Sequence, residues 1–145
     1  TIDPLPEGFF SNLEGLGRNE LALALMGQFV GDEIPQGELF ELIKDVLSFD
    51  FPLVPVESSV FSLELFHGPT MAFKDVGARF MARCLSHFNK DHKQEVTVLV
   101  ATSGDTGGAV ASGFLGVEGV NVVILYPSGK VSEAARARVT AAGGW

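Results

Sequence analysis

Two nearly uninterrupted apolar runs constrain this chain more than any other feature. They read VTVLVAT from Val96 to Thr102 and VNVVILYP from Val120 to Pro127. Runs of strand length without polar alternation are expected in strands of a parallel sheet, where both faces are covered. Parallel neighbours cannot be joined by a tight turn and need a crossover, usually a helix. The intervening SGDTGGAVASGFLG supplies one: a glycine-rich loop, then a helix built from small residues.

The wider pattern agrees. Upstream, FPLVPVE and VFSLELF are short, rich in β-branched and aromatic residues, and broken by Pro52, Pro55 and Ser58-Ser59, so they read as two strands with a turn. FKDVGARFMARCLSHF repeats apolar residues at Phe73, Val76, Phe80, Cys84 and Phe88, an amphipathic helix. SEAARARVTAAG reads as a last, Ala-rich helix with Ser132 as N-cap. From Val54 the order is β, β, α, β, α, β, α, which favours a parallel sheet with helices on its faces. The first 50 or so residues read as helical. One helix carries Leu21, Leu25, Met26 and Phe29 on one face, with Asn19 as N-cap and Gly31 as stop. A second carries Leu39, Ile43, Val46 and Leu47, with Pro35 at its start. A shorter helix is expected over Phe9 to Leu16. The fold class is therefore α/β, with a helical region over residues 1–52 and part of a parallel-sheet domain over 53–145.

Composition excludes several classes of function. Hydrophobic residues make up 46% of the 145 and charged residues 19%, enough apolar surface for a core. The formal net charge of -8 argues against nucleic acid as a partner. Cys84 is the one cysteine, so no intrachain disulfide forms. No apolar run approaches the roughly 18 residues of a membrane span, and no signal peptide is visible; the expected location is cytoplasmic. The chain begins on Thr1 and stops on AAGGW, and it is expected to be a piece of a larger protein.

Ligands of parallel sheets sit beyond the carboxyl ends of the strands. Three loops of unusual composition fall there: HGPTMAF, TSGDTGG and YPSGK. In TSGDTGG, glycines let backbone approach a ligand, and the following helix N-terminus offers unpaired N–H groups. Ser103, Thr106 and backbone amides are candidates for a carboxylate or phosphate; the alternative is a strand–helix turn capped by Asp105 or Thr106. Neither the Walker A nor the dinucleotide spacing is present. Lys74 opens a helix, where its charge opposes the dipole, and Phe66, Met71 and Phe73 would desolvate it. Both effects suit a nucleophilic amine; the alternative is a solvated lysine paired with Asp75 or a nearby carboxylate. His67 reads as a hydrogen-bonded turn residue or a general base. Cys84 reads as core. Lys130 is a loop lysine or an anion contact. No His/Cys set has metal spacing, so no metal is expected.

LELFHGPTMAFKDVGARFMA, TVLVATSGDTGGAVA and VVILYPSGK, in this order, resemble the threonine synthase family, and FVGDEIP resembles its N-terminal part. The resemblance runs from about Phe29 to Lys130. It implies a pyridoxal 5'-phosphate (PLP) enzyme of the tryptophan-synthase-β-like, three-layer fold type, which turns O-phospho-L-homoserine and water into L-threonine and phosphate. It implies that Lys74 is the Schiff-base lysine and that Phe73 and Asp105 adjoin the cofactor. Thr102, Ser103, Gly104, Asp105 and Thr106 would meet substrate, and Lys130 its phosphate. The family's glycine loop for the cofactor phosphate, and its contact to the pyridine nitrogen, lie later in the family's chain. The tail after Ser132 departs from the family, which usually has glutamine where Ala135 stands. The 145-residue piece alone is expected to be inactive, to bind PLP weakly and to self-associate through an open sheet. A related PLP-dependent lyase or β-replacement enzyme, and a non-catalytic anion-binding α/β domain, are the other readings.

Overall fold

A computed structural model describes residues 4–91, 95–129, 131–133 and 136–137. The chain forms two compact units, Thr1–Ser48 and Phe49–Trp145.

In the first unit, a 3₁₀ helix, Phe9–Gly15, precedes α1, Arg18–Val30, and α2, Gln36–Val46. Gly17 takes the N-cap position of α1, and the Glu20 carboxylate accepts its N–H. The expected cap, Asn19, lies inside the first turn instead. Gly31 ends the helix as expected, with φ 58°, a region L side chains rarely adopt. α2 begins after Pro35 and buries Leu39, Ile43 and Val46, with Leu47 just beyond, as its spacing predicts. α1 packs differently from expectation. Leu25 and Phe29 face solvent, and Leu23, Ala24 and Gly27 line a concavity with Ile34 and Leu39. The Arg18 guanidinium donates to the Leu47 carbonyl at 2.9 Å, placing a cation at the C-terminal end of α2, where the dipole favours it.

The second unit begins with β1, Leu53–Glu57, and β2, Val60–Leu63. They pair antiparallel, Leu53 opposite Leu63 and Val54 opposite Ser62, with a bulge between Pro55 and Glu57. The Ser58-Ser59 connection is too short for a parallel crossover, so the two strands pair antiparallel, and they form a sheet separate from the parallel one. Then come α3, Lys74–Asn89; β3, Val96–Ala101; α4, Asp105–Phe114; and β4, Val120–Leu125. β3 and β4 pair parallel, in register from Val96 opposite Val120 to Ala101 opposite Leu125. The β3–α4–β4 unit expected from the two apolar runs is therefore present.

The core of this unit lies between that sheet and the two helices. Val98, Val100, Val120 and Val122 pack on Ala78 and Ala82 of α3 and on Ala109, Val110 and Phe114 of α4. The opposite face is open: Leu99 is 65% exposed and Leu125 52%. The strands are thus covered on one face among the described residues, not on both as their composition predicts. α3 also turns a different face inward. Asp75, Ala78 and Ala82 are buried, while Phe73 and Phe88 are exposed and Cys84 is half-buried rather than core. The reason is closeness. A Cβ on Gly113 of α4 would lie 3.0–3.2 Å from the backbone of Ala78 and Arg79, so aromatic side chains cannot enter this contact.

Ser132 opens a helical turn, with the Arg136 N–H on its carbonyl at 3.0 Å, and the rest of the expected last helix lies outside the described residues. No helix among the described residues is long and apolar enough to cross a membrane.

Candidate functional site

The parallel register fixes one rim. α4 starts directly after β3, so Ser103, Asp105 and Thr106 stand at the carboxyl edge, all exposed. The YPSGK loop follows β4 at the same edge. Its Lys130 lies outside the described residues. A Cβ on Gly119, the residue before β4, would lie 2.9 Å from Asn89 Nδ2, so the end of α3 sits at the amino edge. From there 16 residues of helix run back about 24 Å. Lys74 opens α3 at the other end of that length, one turn before Ala78, whose backbone a Cβ on Gly113 near the end of α4 would meet.

The TSGDTGG loop is organised by Thr102. Its hydroxyl oxygen accepts N–H groups from Gly104 at 3.1 Å and Gly107 at 3.2 Å. A Cβ on Gly107 would lie 2.5 Å from Thr102 Cγ2 and 3.3 Å from Ile124 Cγ2, so only glycine fits there. Gly104 occupies the N-cap position, and no side chain of α4 caps it. Neither Asp105 nor Thr106 serves as the cap, in contrast to the alternative raised by the sequence. Thr102 satisfies one N–H of the first turn from outside the helix, which leaves the Ser103, Asp105 and Thr106 side chains turned to solvent on a helix end that favours anions.

Lys74 is half-buried at the start of α3, with Nζ 4.5 Å from the centre of the Phe73 ring. Phe66 and Met71 are exposed, so the apolar wall expected around the amine reduces to Phe73. No carboxylate among the described residues pairs with Lys74. Asp75 is turned away from it: the carboxylate is buried, accepts the Thr70 N–H at 2.9 Å and also accepts the Thr70 hydroxyl. The Lys74–Asp75 pairing considered from sequence is thereby excluded. An amine that pairs with no carboxylate among the described residues, at a helix N-terminus, fits a carbonyl acceptor such as the PLP aldehyde.

Asp75, Thr70 and Gly68 escaped the sequence reading. The available signal was an acid in the first turn of a helix, five residues after a threonine in a Gly-Pro turn. His67 is held by Glu64 at 2.7 Å and stacks on Phe66, as a turn residue would. Among the described residues no three His, Cys, Asp or Glu side chains cluster to hold a metal.

No family model matches the chain. It is 50% identical over 113 residues to threonine synthase of Haemophilus influenzae, covering 78% of this chain and 26% of that protein. It is 56% identical over 108 residues to threonine synthase of Escherichia coli, covering 74% of this chain and 25% of that protein. A crystal structure of PLP-bound threonine synthase from Brucella melitensis superposes with a TM-score of 0.78 at 37% identity, over 86% of this chain and 28% of that one. The chain thus spans about a quarter of the length of the curated relatives it matches.

Proposed function

We infer that this chain is the N-terminal portion of a threonine synthase and that its carboxyl rim is the share of the active site it contributes. The parent enzyme would convert O-phospho-L-homoserine and water into L-threonine and phosphate. The observation that carries this reading is Lys74: an amine that pairs with no carboxylate among the described residues, at the start of α3, in the same compact unit as the SGDTG loop. Identity at the level of half the aligned residues supports it.

In this reading the Lys74 amine holds PLP and afterwards, once released, moves protons between substrate carbons. PLP, when bound, is an electron sink for charge that develops on the substrate. Phe73 and Asp105 would adjoin the cofactor. Ser103, Thr106 and the amides of Ser103, Asp105 and Thr106 would receive the substrate's anionic groups on the N-terminus of α4. Lys130 meets the phosphate that leaves. The division into a helical region, residues 1–52, and an α/β region from 53 onward is part of the same reading, as are a cytoplasmic location and self-association of the isolated piece.

The test is reductive labelling. The complete gene product is incubated with PLP, reduced with borohydride and digested, and the labelled peptide is mapped. The label is expected on Lys74, and a label on another lysine overturns the assignment. Lys74→Ala in the complete enzyme should lower threonine formation by about 10²–10⁴-fold from the loss of proton transfer alone.

A further inference from the structure

We propose that Asp75 is a positioning residue: its buried carboxylate clamps the Gly68–Thr70 turn to the first turn of α3 and thereby fixes the backbone from which Lys74 projects. The proposal rests on the assignment of Lys74 above.

A carboxylate buried to 1% exposure carries a heavy desolvation cost unless its lone pairs are filled. Here both oxygens are engaged by one residue. Oδ2 accepts the Thr70 N–H at 2.9 Å, and Oδ1 accepts the Thr70 hydroxyl, itself on a residue only 8% exposed. No cation among the described residues pairs with the group. Its position in the first turn of α3 adds the favourable end of the helix dipole. The turn is shaped around this carboxylate. A Cβ on Gly68 would stand 2.5 Å from Oδ2 and 2.9 Å from the Asp75 Cβ, so the glycine is what allows the approach.

The clamp closes a loop over Met71, Ala72, Phe73 and Lys74. Inside it Met71 adopts φ 59°, the one positive φ at a non-glycine residue among those described. Its N–H bonds the Gly68 carbonyl at 3.0 Å, and the Asp75 N–H bonds the Ala72 carbonyl at 3.0 Å. An L-residue keeps such a conformation only where its surroundings over-determine it. Cα atoms of adjacent residues are about 3.8 Å apart, so fixing Asp75 at one side and the turn at the other leaves Lys74 little freedom of direction. Misplacement of a reacting group by an ångström is enough to slow its reaction by orders of magnitude.

The experiment uses the complete protein with the variants Thr70→Val, Thr70→Ser, Asp75→Asn and Asp75→Ala. Capture of PLP by the apoprotein is sampled by borohydride trapping at timed intervals, and the Lys74 peptide is quantified. The visible circular dichroism of the captured cofactor reports its orientation, and thermal melting of each apoprotein is recorded separately. All capture rates are measured well below every melting transition, where loss of stability alone moves neither rate nor dichroism. Thr70→Val and Asp75→Ala should slow capture at Lys74 by roughly tenfold or more and change the dichroism, Thr70→Ser should stay within about twofold, and Asp75→Asn should fall between, since its amide keeps one acceptor. If Asp75→Ala does not fold, the Val/Ser pair at Thr70 carries the comparison. Wild-type capture rates and dichroism in folded Thr70→Val overturn the clamp while leaving Lys74 intact. Absence of label at Lys74 in the unsubstituted protein overturns the assignment of Lys74, and the clamp with it.

Discussion

Gly68 and Asp75 meet at a distance that decides what each position tolerates. A methyl on Gly68 would displace a buried, doubly bonded carboxylate rather than the end of a flexible chain. Gly68→Ala should therefore destabilise by about 1–3 kcal/mol, the range for overpacking a closed site, read as a lower urea midpoint at unchanged slope. Cys84 gives a second residue-scale expectation. Burial disfavours its thiolate and raises its pKa above the usual 9.0. The native thiol should react more slowly with iodoacetamide at pH 8 than the thiol of the urea-unfolded chain; equal rates would contradict this. The sign for stability follows from linkage. The unfolded thiol loses its proton first, so this contribution is complete below pH 9.0 and is lost as pH rises through the folded value. At this scale the sequence could single out Lys74 but not its neighbour. Lys74 and Asp75 are adjacent, and a list of residues pairs them; the turn of the helix sends one outward and the other into the fold.

α3 was legible as an element and misread as a face. Phe73, Val76, Phe80, Cys84 and Phe88 recur at helical spacing, and the period is right, but the stripe that packs is Asp75, Ala78 and Ala82. Hydrophobicity ranks aromatic residues above alanine, whereas a helix pressed against another backbone selects for small size. Gly113→Ala tests that contact. Alanine gains up to about 1 kcal/mol of helix propensity over glycine, against about 1–3 kcal/mol for pushing a Cβ into the α3 backbone. The clash should win, and denaturant unfolding should show a net loss; a net gain would mean that α3 can step back. The hairpin teaches a related point. Its strands were readable from β-branched runs and its turn from Ser58-Ser59, and the connection length makes the pair antiparallel.

On the scale of the whole molecule, the uncovered surface is the dominant property. Leu99, Val123 and Leu125 form the open side of the β3–β4 sheet, and Leu53, Val56, Phe61 and Leu63 are exposed on the hairpin. Apolar surface of this extent, next to unpaired strand edges, favours association. The isolated 145-residue chain should show a concentration-dependent mass by light scattering, and Leu99→Lys should reduce it; a monomer at high concentration in both would contradict the expectation. The amino-acid sequence determined by itself that the chain alternates strands and helices, that a parallel pair is joined through a small-residue helix, and that one lysine opens a helix beyond a Gly-Pro turn. Those features rest on local spacing, which a linear reading can measure. Only the tertiary structure decided which stripe of α3 is buried, which sheet face stays open, and that Asp75 holds Thr70 instead of Lys74. These depend on how closely two backbones approach, and that distance is set by residues far apart in the chain.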